Sequence, residues 1–226
     1  MDRFAHRMPT NSSALAWMSM AIGVGLVVAM ATLTVGGTGE NNLVTAIRLT
    51  ARWSFLLFWL AYCGSALSAL FGRTFVPMAR RAREFGLAYA AAQLVHLGLV
   101  AWLFRISPRQ PISNDMIVFF SIGIFWTYLL AILSFGKLAE ALGPTGWRAI
   151  RITGMNYILL AFALDFIRPI MHPATARYTI LHLISYVPFA AMSIAAPLFV
   201  LASALHFRLG AKYTQGHFRA AVHRAN

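Results

Sequence analysis

One cysteine and six acidic residues among 226 positions leave little material for much of the chemistry that soluble domains perform. Cys63 has no second cysteine to meet, which excludes an internal disulfide and any CxxC redox centre. It lies inside an apolar stretch and does not fix the redox compartment. Five of the acids, Asp2, Glu40, Glu84, Asp115 and Glu140, fall in expected loops or at helix ends. No cluster of histidines and carboxylates has metal-ligand spacing, and neither a Ser/His/Asp set nor a phosphate-binding glycine loop is present. Internal repeats and low-complexity tracts are absent too. No segment is long enough for a soluble flavin or nicotinamide domain, so any electron donor must be a separate molecule.

What the chain does contain is apolar. Hydrophobic residues make up 59% of it, charged residues 11%, and the mean hydropathy is +0.67, which places it in a bilayer. A helix needs about 20 apolar residues to cross the hydrocarbon core. Six stretches qualify, near 14–36, 52–72, 86–105, 115–136, 149–170 and 178–206. The first is too long for a secretory signal core and reads as a retained span. The last is overlong and carries Pro188 and Pro197, which a membrane helix tolerates where neighbours satisfy the freed carbonyls. The expected fold is therefore all-α, a single polytopic domain over 1–226 with six transmembrane helices.

The 19 lysines and arginines give the expected orientation. Thirteen fall at the N-terminus, around 73–83, around 137–151 and beyond 207, whereas six, Arg48, Arg52, Arg105, Arg109, Arg168 and Arg177, fall on the other side. By the positive-inside rule both termini are cytoplasmic. The basic residues sit in short clusters between apolar runs and form no continuous face, so the partner they imply is the anionic headgroup of a lipid bilayer, not nucleic acid. The basic segment 207–226 reads as a cytoplasmic tail, either lying on the headgroups or solvated.

Polar residues inside the spans stand out against this background. His96 falls about 15 Å below the basic surface, counted from Gly86 at 1.5 Å per residue, a depth at which an ionisable group is a functional candidate. Gln93, one turn earlier, and Asn156, in the fifth span at a comparable depth, offer it a hydrogen-bonded network. Asp165 is the one acid well inside a span, with Arg168 at i+3 placed to pair with it. His182 is the other intramembrane histidine, roughly 9 Å from His96 in depth if both helices stand upright. Trp17, Trp53, Trp102 and Trp147 fall near span ends, as interfacial belts require.

Certain spacings are familiar. "LTARWSFLLFWLAYCGSALSALFG", a basic loop, "REFGLAYAAAQLVHL" and then "LGPTGWRAI" opening a later helix resemble the ferric reductase-like transmembrane domain family. The likeness is greatest to the haem-binding membrane subunits of bacterial methionine sulfoxide reductase systems, and it covers about 37–170. Arg83, Gly86, Leu87 and His96 fit the first half of the family pattern; Leu142, Gly143 and Trp147 begin the second. The resemblance implies a haem b with His96 as a ligand to its iron, an oxidoreductase role in electron transfer across a bacterial inner membrane, and a separate redox or reductase partner. The chain departs from the pattern at two ligand positions. Arg151 and Leu164 stand where the family places histidines. Arg151 is then a candidate contact for a haem propionate, and His182 a candidate second ligand. The alternatives are a haem-free relative serving as a membrane binding or assembly protein, and a small transporter using Asp165 and His96.

Overall fold

The computed structural model describes residues 11–108, 112–135, 138–171 and 180–225, with side chains described over 12–108, 112–135, 138–171 and 184–207. Among the described residues eight α-helices follow one another: α1 (Asn11–Gly36), α2 (Glu40–Phe71), α3 (Val76–Arg80), α4 (Ala82–Ile106), α5 (Asn114–Phe135), α6 (Leu138–Ala141), α7 (Gly143–Met171) and α8 (Ile180–Ala225). A 3-10 turn, Gly72–Phe75, joins α2 to α3. No strand occurs among the described residues. Six helices are long and apolar enough to cross a membrane, namely α1, α2 with its extension to Arg80, α4, α5, α7 and the 184–207 part of α8. Helices are what a bilayer permits, because each closes its own backbone hydrogen bonds where no water can.

Successive spans reverse direction, so the bundle has two ends. The basic end carries the 72–82 and 135–143 connections. The opposite end carries the 36–40 and 106–114 connections.

Two features of the sequence are rearranged in three dimensions. The second span starts twelve residues before the expected Arg52, at Glu40. Its first turn is level with the end of α4, since Ser107 donates a hydrogen bond to Glu40 there. Leu43 and Ala46 of this early segment are fully buried against Leu99 and Leu103 of α4 and Ala29 of α1. Arg48 and Arg52, expected before and at the outer end of the second span, therefore lie about 12 and 18 Å along α2 from its start, Arg48 exposed and Arg52 half-buried. The second change is in α8, whose backbone remains helical to Ala225, so the basic tail continues the last span.

The centre is built on α2, whose buried residues run from Leu43 to Leu67. It packs closely on α1, α4 and α8, while α7 packs on α5 and α8. Trp53 Nε1 donates to the Ala21 carbonyl of α1 and Trp59 Nε1 to the Met192 carbonyl of α8, both at 3.0 Å. Small residues allow these approaches: Ala21, Gly25 and Ala29 are buried along one face of α1. Between α7 and the α2–α4 pair the space is filled by rings. Phe55 and Phe58 of α2 and Tyr89 of α4 meet Phe162 and Phe166 of α7, with centroid separations of 5.0–6.0 Å in tilted and edge-on arrangements, the favoured aromatic geometries.

Candidate functional site: two cavities in the bundle

Two cavities flank this aromatic layer. The one at the basic end is a partly open cleft of about 390 Å³ between α2, α4, α5, α6 and α7, and its walls include Arg83, Gly86, Leu87, Ser134, Glu140, Trp147 and Arg151. Five of the motif positions singled out from sequence, Arg83, Gly86, Leu87, Trp147 and Arg151, thus converge on one space. Helical geometry explains the convergence: Arg83 and Leu87 are four apart on α4, and Trp147 and Arg151 four apart on α7, so each pair shares a face. Arg83 Nε donates to the Ser134 carbonyl at 3.0 Å, which ties the start of α4 to the end of α5.

The second cavity, about 250 Å³, lies toward the opposite end. Its polar walls are Arg48 of α2, Gln93 and His96 of α4, Thr127 of α5 and Asp165 of α7; the rest is mainly aliphatic and aromatic. His96 is anchored to α2. Its Nδ1 lies 3.2 Å from the Ile47 carbonyl and 3.3 Å from Thr50 Oγ1. The carbonyl only accepts, and the Thr50 hydroxyl already donates to the Ala46 and Ile47 carbonyls, so Nδ1 carries the proton. Nε2 is left as the acceptor nitrogen of a ring that lines the cavity. The Gln93 Oε1 is buried without a hydrogen-bond partner.

Asp165 shares this cavity with His96, Gln93 and Arg48. Arg48 lines the same cavity, whereas Asp165 forms no ion pair with Arg168 one turn further along α7. Arg168 is exposed on α7, and the one ion pair within 4.0 Å among the described residues is Arg81–Glu84. Arg52 also stacks its guanidinium over Tyr186 and Phe189 of α8, at 5.1 and 5.6 Å from the ring centroids, an arrangement that holds a cation in apolar surroundings. Asn156 lies away from His96: it accepts a 2.7 Å hydrogen bond from the Tyr62 hydroxyl and donates to its own helix at Ile152. The side chain of His182 lies outside the described residues.

The cavities meet at Tyr89, Thr127 and Ile158, which line both. The Tyr89 and Thr127 oxygens are 2.9 Å apart, and Thr127 donates to the Gly123 carbonyl, so the phenol is the donor between them. Both side chains are buried. The chain matches no protein-family model, curated protein or solved structure. Its function must therefore be read from these walls.

The donor set can be tested against a haem. His96 has the orientation of a metal-binding imidazole, with one nitrogen fixed by a carbonyl and the other open. The facing walls, however, supply Arg48, Gln93 and Asp165 and no described imidazole, thiolate or thioether. Met155 is a sulfur donor, but it lines the other cavity, beyond the Tyr89–Thr127 layer. Arg151, at a family ligand position, cannot ligate because it stays protonated. A volume of about 250 Å³ also falls below the roughly 300–1,000 Å³ of pockets for drug-sized ligands, a class in which haem is large. The residues described here do not fit a bis-ligated haem. No group of three potential ligands among His, Cys, Asp and Glu gathers anywhere among the described residues.

Sequence reading missed that Arg48 lines the second cavity and that Arg52 lies half-buried against α8. The available signal was the pattern of Leu43, Ala46, Ile47 and Thr50 around them, which continues a buried face at helical spacing.

Proposed function

We propose that this chain is a haem-free relative of the ferric reductase-like fold, a membrane protein that binds a small polar ligand inside its bundle and does not carry electrons. The observation that supports it most is the wall around His96. Its Nδ1 proton is used on Ile47, and the ring lines a cavity whose other polar walls, Arg48, Gln93, Thr127 and Asp165, supply no second imidazole, thiolate or thioether. Intramembrane ionisable groups are expensive, and five polar side chains from four helices around one cavity mark a binding site. The aromatic packing of Phe58, Phe162 and Phe166 fills the space between the helices that would carry the two haem ligands. Haem b, electron transfer, a redox partner and a bacterial inner-membrane location remain what the family resemblance implies, and the haem-free reading replaces the first three.

Titration of the purified protein with haemin tests this. The expected result is weak, non-saturating uptake that is the same for wild type and His96→Ala. Saturation at one haem per chain, abolished in the variant, overturns the proposal.

A further inference from the structure

We infer that the two cavities are the halves of one gated path for small anions through the bundle, with the Tyr89–Thr127 layer as its gate. The inference rests on the haem-free reading, because a haem in either cavity would block such a path.

Three observations carry it. The cavities reach opposite ends of the bundle: Ala139 and Glu140 wall the first at the basic end, and Ile112, in the α4–α5 connection, walls the second. They are also in register, divided only by side chains that line both, with one hydrogen bond of 2.9 Å from α4 to α5 across the division. Tyr89 is held by that bond and by the rings of Phe58 and Phe162 at 5.3 and 6.0 Å, and in this path its phenol is the moving part of the gate. Finally, the charges along the walls are Arg48, Arg83 and Arg151 against Asp165 and Glu140, a net positive lining. The excess lies at the basic end, where Arg83 and Arg151 outnumber Glu140, and an excess of one sign of charge in a low-dielectric passage raises the local concentration of the opposite sign, so the favoured solute is a small anion.

Cysteine accessibility tests the path without knowing the solute. In a Cys63→Ala background, Ala131→Cys places a thiol in the basic-end cavity and Val100→Cys one in the other. Sealed vesicles of each orientation are treated with membrane-impermeant methanethiosulfonates, one carrying a sulfonate and one a trimethylammonium group. The expected pattern is labelling of Ala131→Cys from the basic face only and of Val100→Cys from the opposite face only, severalfold faster with the sulfonate. Adding Tyr89→Ala makes each thiol reachable from both faces; should that variant fail to fold, Thr127→Ala carries the same expectation. Thiols silent from both faces, labelling of both from one face, unchanged sidedness in the gate variant, or faster reaction with the cation overturns the inference. A coloured haem protein sinks the haem-free reading itself, whereas a colourless protein with silent thiols sinks the path alone.

Discussion

His96 Nδ1 sits 3.2 Å from the carbonyl oxygen of Ile47, joining the middle of α4 to a part of α2 that hydropathy alone assigns to a loop. The Ile47 carbonyl also accepts from Thr50, so losing the imidazole does not orphan it.

His96→Ala is accordingly expected to destabilise the protein only modestly, by about 0.5–1.5 kcal/mol, the net value of one hydrogen bond. Detergent unfolding followed by tryptophan fluorescence measures this. A collapse of the fold on substitution would show that His96 holds more than this contact.

Gly154 is a close-approach position. A Cβ there would lie 2.8 Å from the Trp126 ring and 2.9 Å from Leu130, so α7 and α5 meet only because the side chain is absent. Gly154→Leu is expected to cost about 1–3 kcal/mol through overpacking, and Gly154→Ala less. Unfolding midpoints of the two variants check the order.

Arg48 and Asp165 face one cavity from different helices, with no direct ion pair between them. A double-mutant cycle of Arg48→Gln and Asp165→Asn should give a non-zero coupling of about 0.5–3 kcal/mol. The same cycle run with Arg168→Gln in place of Arg48→Gln should give none, since the Asp165–Arg168 pairing suggested by i+3 spacing is not formed.

Trp59 spans α2 to α8 through its indole N–H on the Met192 carbonyl. Trp59→Phe keeps a ring but removes the donor, and is expected to lower stability by about 1 kcal/mol. Limited proteolysis should then cut α8 faster than α7 relative to wild type.

Hydropathy made the number of spans legible, because backbone satisfaction in lipid leaves little choice but helices of this length. It misplaced the start of α2, because Arg48 and Arg52 interrupt the apolar run while Leu43 and Ala46 beyond them are buried. A window average cannot distinguish an arginine outside the bilayer from one resting on Tyr186 and Phe189 inside it. His96 was legible as an interior polar group, but its partner was not: Ile47 contributes a backbone oxygen, to which side-chain identity gives no clue. Depth alone joined Asn156 to His96, and depth says nothing about which face of α7 a residue occupies. Asn156 turns to Tyr62, while Asp165, nine residues further along α7, reaches the His96 cavity.

The most direct test of the central claim is an absorption spectrum, oxidised and then dithionite-reduced, of protein purified from haem-replete cells beside a His96→Ala control. The account predicts the same featureless visible spectrum for both. A Soret band with α and β bands that sharpen on reduction in the wild type, lost in the variant, would contradict it.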